Sequence, residues 1–516
     1  MTKHPTGSPK RLRAHRLILL AVAALAVALL AACGGGGGGG GEPTEKKPIT
    51  VALSTDLDVL DPQLFKNDVA IIVTASLNGT LIQEENANED GAMVATGEYV
   101  DNIAESWAAS DDGKTVTFKI KEGLKFQDGS PLTADDWVYT WRRIFEGPGY
   151  ISLLLPIIGI TSADSVTAPD PQTLVIEREF DSPMFMPFMA SPCCFVVMSE
   201  ETAEAHKTAD DPWAAEWFTS NVNSSGPYVL ESWQKGQEVV LAPNPEYPLP
   251  DYVNNSGVTF KIVPSPEDRV ALVRGGAIDA AQNIAYQDLD TLRNDPNVRI
   301  FQFPGRRVAY VGFNTTTPPF DDVNLRKAIQ KAIPYDTLVD RVLYGFGQKA
   351  GSVVSVGMEG YKEVLPPVQD LDAAREALVQ SSYDGDTLTL AVRQSQPQDH
   401  ASAVFIQDAL REIGVDVEIQ TLADVQFQEQ IGKKAIPFFI MDWQSLGTDA
   451  FYQLTWVAKS DSPINYTAYA DPRMDKLIAQ GVPESDLAKR EALAQERRRT
   501  SGRSRSPGPR SSKPMT

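Results

Sequence analysis

The chain of 516 residues is poor in the side chains that usually carry catalysis. It holds four His and three Cys. His4 and His15 lie in a basic N-terminal stretch, which leaves His206 and His400 as isolated residues. A His-cluster metal site or a local Ser-His-Asp arrangement therefore has little material. No G-x-x-x-x-G-K-[ST] phosphate loop and no H-E-x-x-H motif occurs. Gly345-Phe346-Gly347-Gln348-Lys349-Ala350 imitates a dinucleotide loop, but it follows a helical pattern and reads as a turn. Acids are too abundant for any carboxylate pair to stand out. No metal and no cofactor is expected, and binding fits the chain better than catalysis. An extracytoplasmic hydrolase is the alternative from another class.

The chemistry left to cysteine is of two kinds. Residues 1–16 carry five basic residues and no acid, Leu17 to Leu30 is wholly apolar, and Leu30-Ala31-Ala32-Cys33 closes the run. This is a secretory signal, too short for a comfortable membrane span. Small residues before Cys33 look like a lipobox, with cleavage before Cys33 and a diacylglyceryl group on its sulfur. Residues 1–32 are then the signal and 33–48 a Gly-rich tether. The mature protein is expected outside the cytoplasm, held by lipid on the outer face of the cytoplasmic membrane. Cys193 and Cys194 are adjacent, a geometry that seldom forms a disulfide. Flanked by Met189, Pro192, Phe195 and Val196, they read as buried thiols, with a vicinal redox pair or soft-metal site as the alternative.

The elements that must position a site can be followed along the chain. Ile49 to Leu53 is a first strand. Val116, Phe118 and Ile120 alternate with polar residues as a strand with one wet face. Thr133 and Asp136 form a capping-box pattern ahead of Trp137, Trp141, Ile144 and Phe145, which share a helix face. Gly226 to Tyr247 reads as a Gly/Pro-punctuated meander. Asp384–Val392, Ala401–Ile413 and Val415–Ile419 read strand, helix, strand, which implies parallel pairing in an α/β lobe. Pro437 to Met441 is a short apolar strand that delivers Asp442-Trp443 to a loop rich in Gln, Ser, Gly and Thr.

Charge is distributed unevenly. Of 47 Lys and Arg, five lie in residues 1–32 and seven in residues 497–516, and neither stretch holds an acid. The 68 Asp and Glu all fall between them, so that part of the chain would repel nucleic acid. The break in composition at Arg497 reads either as a basic tail or as a truncated or frameshifted end.

The ordered set Trp107, Asp111-Asp112-Gly113-Lys114, Thr115 to Gly123 and Phe126 to Asp136 resembles family 5 of the extracellular solute-binding proteins, the peptide and nickel receptors of bacterial ABC importers. Leu60-Asp61-Pro62, Gly226-Pro227-Tyr228, Asn244-Pro245-Glu246-Tyr247 and Phe313-Asn314 followed by Pro319-Phe320 extend the likeness over residues 49–496. It implies an α/β, periplasmic-binding-protein-like fold of two lobes with a hinge and an inserted subdomain (type II, cluster C). By this likeness residues 49–80 and 181–265 make lobe I, 81–180 the insertion, 266–475 lobe II and 476–496 a return to lobe I.

The resemblance also implies a monomeric receptor that captures an oligopeptide, or alternatively a nickel chelate or oligosaccharide, and hands it to a permease. Asn78, Gly79 and Thr80 stand where such receptors run beside the bound peptide. Aligning Trp443 with the family's Trp places Gln444, Ser445, Leu446 and Asp449 in the loop facing the ligand. Peptide receptors hold the α-ammonium with an Asp three residues after that Trp. Leu446 is there instead, with Asp442 or Asp449 as possible substitutes out of register. Asn314 is also expected near the ligand. His400 either reaches a ligand carboxylate or is an exposed helix-entry residue.

Overall fold

A computed structural model describes residues 46–496, apart from 90–91, 250–251 and 303–304. The signal segment, Cys33, most of the tether and the basic tail lie outside the described residues. The architecture is mixed α/β, with the described strands in four sheets.

The first lobe starts with β1 (Ile49–Leu53) and a helix over Asp68–Leu77, N-capped by the Asn67 side chain. A hairpin of β2 (Ile82–Glu89) and β3 (Ala92–Asp101) follows, with a register shift between Glu84 and Asn86. Then come β4 (Ala104–Ala109), β5 (Thr115–Ile120), β6 (Val166–Asp170) and β7 (Thr173–Glu177), paired in the order β4-β5-β7-β6. The helix Ala134–Glu146 packs on this sheet. Its capping box forms as expected, with Thr133 and Asp136 exchanging bonds, and Trp137 and Trp141 are buried.

The chain returns through β8 (Tyr228–Gln234), β9 (Glu238–Pro243), β10 (Val258–Ile262) and the two-residue β11 (Ala280–Ala281). These join β1 in the order β11-β1-β10-β9-β8. β1 runs parallel to both β10 and β11, and the β8–β9 and β9–β10 pairs are antiparallel. Strand alternation turns Val51, Leu53, Val239, Leu241 and Phe260 into one large core shared with the helices.

The second lobe is built on β12 (Arg307–Phe313), β13 (Leu388–Arg393), β14 (Val417–Leu422) and β15 (Phe438–Gln444), ordered β12-β15-β13-β14. β13 and β14 pair in parallel across the helix Pro397–Glu412, as the sequence pattern predicts. The helix Ala450–Val457 bridges the halves. Phe451 and Leu454 enter a core with the helix Pro472–Gly481, whereas Tyr452 and Trp456 enter the first lobe's core.

Candidate ligand-binding site

Where the two lobes meet, a cavity encloses about 1470 Å³, part of it open to solvent. One wall comes from the turn after the Asp68–Leu77 helix. Asn78 closes that helix, its backbone N–H and its side-chain Nδ2 both donating to the Thr74 carbonyl at 3.1 and 2.9 Å. Gly79 N–H donates to Ser225 Oγ at 2.9 Å, and the Ser225 and Gly226 amides return to the Leu77 carbonyl at 3.2 and 3.0 Å. A Cβ on Gly226 would stand 2.7 Å from the Asn78 nitrogen, so only Gly lets these two segments run so close. Thr80 is tied back by Oγ1 donating to the Ile82 carbonyl at 2.7 Å and by Asn102 Nδ2 donating to it at 3.1 Å.

The side wall is aromatic and hydrogen-bonded. Gln83 Nε2 donates to the Tyr247 hydroxyl, which in turn donates to Asn102 Oδ1 at 2.8 Å. Asn255 Nδ2 donates to the Tyr228 hydroxyl at 2.7 Å. Burial pushes the Tyr228 and Tyr252 phenols up to about 12, so both stay neutral. Phe188, Phe195, Cys193 and Cys194 form an apolar floor. The two cysteines are buried and free, and burial pushes the Cys194 thiol up, away from the reactive thiolate.

The opposite wall belongs to the second lobe. The pairing of β12 with β15 sets Arg307 opposite Gln444, which brings Arg306 beside Ser445 and Leu446. The Ser445 amide donates to the Arg306 carbonyl at 3.3 Å, and the Arg306 guanidinium donates to the Leu446 carbonyl. Ser445 Oγ also accepts from the Trp443 indole at 3.3 Å and donates to Gln453 Oε1 at 3.4 Å.

Of the positions expected from sequence, Asn78, Thr80, Gln444, Ser445 and Leu446 come together in the cavity wall. The others are placed elsewhere. Gly79 sits just behind Asn78, with its carbonyl taken by the Val197 amide. Asn314 closes a turn, accepting from the Thr316 amide and hydroxyl and donating to the Lys434 carbonyl at 2.8 Å. His400 is exposed in the first turn of its helix. Trp443 packs against the first lobe's core.

The two acids considered as substitutes already have partners. Asp442 is bound by Arg307 at 2.8 Å and by Arg393. Burial opposes its ionisation, but Arg307 and Arg393 win and hold its carboxyl below the usual range. Asp449 caps the Ala450–Val457 helix and receives Arg490 at 2.6 and 2.9 Å.

Sequence reasoning missed Glu84, Asn86 and Arg306 in the wall. β2 is mostly polar in sequence, and Gln83, Glu84 and Asn86 nevertheless line the cavity. Desolvation raises the Glu84 carboxyl from 4.5 to about 7, with Arg306 pulling against the rise. Among the described residues no group of three or more His, Cys, Asp or Glu stands close enough to hold a metal ion.

Comparison with known proteins bears on this arrangement. The profile of bacterial extracellular solute-binding proteins, family 5 (middle), matches residues 98–463. The chain is 27% identical over 450 residues to a probable D,D-dipeptide-binding periplasmic protein of Escherichia coli K12, covering 86% of this chain and 84% of that one. It is 25% identical over 429 residues to the oligopeptide-binding protein of Bacillus subtilis, covering 77% of each. Among solved structures, the Helicobacter pylori periplasmic protein DppA in complex with the peptide STSA superposes with a TM-score of 0.74 at 22% identity, over 87% of this chain and 89% of that one. The Escherichia coli murein tripeptide binding protein gives a TM-score of 0.74 at 23% identity, over 88% and 90%.

Proposed function

Since this chain belongs to family 5 of the bacterial extracellular solute-binding proteins, we propose that it is the substrate-binding lipoprotein of an ABC importer and that its ligand is a short peptide. The observation that carries the reading is a cavity walled from both lobes, with Asn78 and Thr80 on one side and Arg306 with Gln444 to Leu446 on the other. A ligand touching both walls stabilises the closed form by its differential affinity for that form. Aromatic rings supply area, while amides and hydroxyls supply orientation. The relatives support the substrate class, because their names refer to dipeptides, tripeptides and oligopeptides.

The protein does no chemistry on what it binds. It works as a monomer outside the cytoplasm, where Cys33 carries the lipid that keeps it at the membrane and the closed form delivers its load to a permease. Native mass spectrometry of the protein purified from cells, followed by denaturation, tests the ligand. Released peptides of a narrow length range are expected; a sugar or a metal chelate would refute the peptide reading. Labelling with a fatty-acid analogue tests the anchor: Cys33→Ala should lose the label and leave the membrane fraction, and an unchanged label would disprove it.

A further inference from the structure

Behind the second lobe's wall of the cavity, residues from three loops and a helix close a ring of hydrogen bonds. Gln453 Oε1 accepts from the Ser355 amide at 3.2 Å and from the Ser445 hydroxyl at 3.4 Å. Ser355 Oγ donates to the Arg306 carbonyl at 2.9 Å, and the Ser445 amide donates to that same carbonyl at 3.3 Å. Arg306 and Ser445 are among the cavity-lining residues, whereas Ser355 and Gln453 are not. The Arg306 guanidinium extends the ring to the Leu446 carbonyl. Gln453 is fully buried, and its Nε2 donates to the Val353 carbonyl. A buried amide is costly unless its hydrogen bonds are made, and an apolar side chain at this place would carry no such cost.

The helix that carries Gln453, Ala450–Val457, is gripped from both sides. Phe451 and Leu454 lie in the second lobe's core, and Tyr452 and Trp456 in the first lobe's. Asp449 caps its start and is itself held by Arg490. A Cβ on Gly481 would stand 2.0 Å from the Phe451 ring, so the helix also lies tight against the neighbouring Pro472–Gly481 helix. A side chain mounted on such a frame is held in place before any ligand arrives. Resting on the peptide reading above, we propose that Gln453 is a positioning residue for ligand binding. It does not line the cavity, but it sets where Ser445 and Arg306 stand, and it does so from a helix seated in both lobes. Removing its amide frees the Ser445 hydroxyl and the Ser355 amide together, and the wall loses its register.

The test is retention of a random library of di-, tri- and tetrapeptides on the purified full-length protein, read by mass spectrometry, with the unfolding midpoint measured on the same preparations. Gln453→Leu should weaken retention per folded molecule by about three- to tenfold. Gln453→Glu, which keeps the acceptor oxygen and the length, should recover part of that loss. In a Ser445→Ala background Gln453→Leu should add less than its own loss, because the two act through one link. Strictly additive losses overturn the positioning role and leave the peptide reading standing. So does a Gln453→Leu protein that unfolds more easily yet retains peptides as wild type does. Ser355→Ala leaves the helix untouched and carries the test if Gln453→Leu fails to fold. It should weaken retention by about two- to fivefold, and unchanged retention overturns the proposal. If wild type retains no peptide, the peptide reading falls and this one with it.

Discussion

Two buried arginines, each close to an acid, show how differently the same pair of charges can be used. Arg143 and Asp61 are not among the cavity-lining residues, and neither side chain is exposed. Arg143 Nη2 and Nη1 reach the two Asp61 oxygens at 2.5 and 3.1 Å, Nη1 also donates to Gln63 Oε1 at 2.7 Å, and Nε to the Trp213 carbonyl at 3.3 Å. Arg306 and Glu84 line the cavity itself, influence each other electrostatically, and leave Glu84 Oε1 without a partner. The first pair is saturated and ties the segment after β1 to the Ala134–Glu146 helix. The second leaves one buried carboxylate oxygen without a hydrogen bond. A fully paired buried charge holds segments together, whereas a buried acceptor left unpaired is costly to the fold.

The comparison breaks most visibly at the saturated pair. Arg143→Met or Asp61→Ala leaves the other charge buried alone and should cost about 3–5 kcal/mol in denaturant unfolding. Peptide retention per folded molecule should stay unchanged. A loss under about 1 kcal/mol, the range of an exposed pair, would show that this site is not structural.

A smaller effect is expected at Gly226, which packs against Asn78 in the cavity wall. Gly226→Ala places a Cβ against the Asn78 backbone and should cost about 1–3 kcal/mol by overpacking. Here retention should fall as well, because the strained segment is the cavity wall. Calorimetric stability and library retention measured on one preparation would separate the two.

The smallest effect sharpens the comparison through pH. Glu84 titrates higher in the folded chain than its ordinary value, so between 4.5 and about 7 the folded state holds more protons than the unfolded one. Ligand-free stability should therefore decline as pH rises through that window, and the decline should be shallower in Glu84→Gln. Parallel unfolding curves for the two proteins across the window would remove the burial argument for Glu84.

Much of the fold was legible because its signals are local. The capping box at Thr133 and Asp136, the Gly414 stop after the Pro397–Glu412 helix and the parallel β13–β14 unit all lie within short stretches of chain. The site was legible only in part. Asn78, Thr80 and the Gln444 to Leu446 loop were found by resemblance, and they do reach the cavity wall. Asp61 stood out only within the Leu60-Asp61-Pro62 likeness, since nothing near it announces a guanidinium from 82 residues away. Glu84 lies in the run Gln83-Glu84-Glu85-Asn86, which looks solvated at every position. A register shift lies beside it, and the arginine that acts on its carboxyl, Arg306, is more than two hundred positions away. Asp442 and Asp449 were attractive in sequence for the converse reason, because their arginine partners are also distant.

The placement of β1 has a consequence for how the molecule comes into being. This first strand threads between β10 and β11, and the Thr50 amide finds the Asp279 carboxylate 229 residues further on. Even its nearer partner, β10, stands 209 residues on, with Ile49 opposite Val258, so formation of that sheet carries the entropy of a long closure and waits for most of the first lobe to be synthesised. The first of the described strands is thus among the last to find its neighbours. A nascent chain halted before β10 is made holds an unpaired, apolar β1, a ready template for wrong pairing.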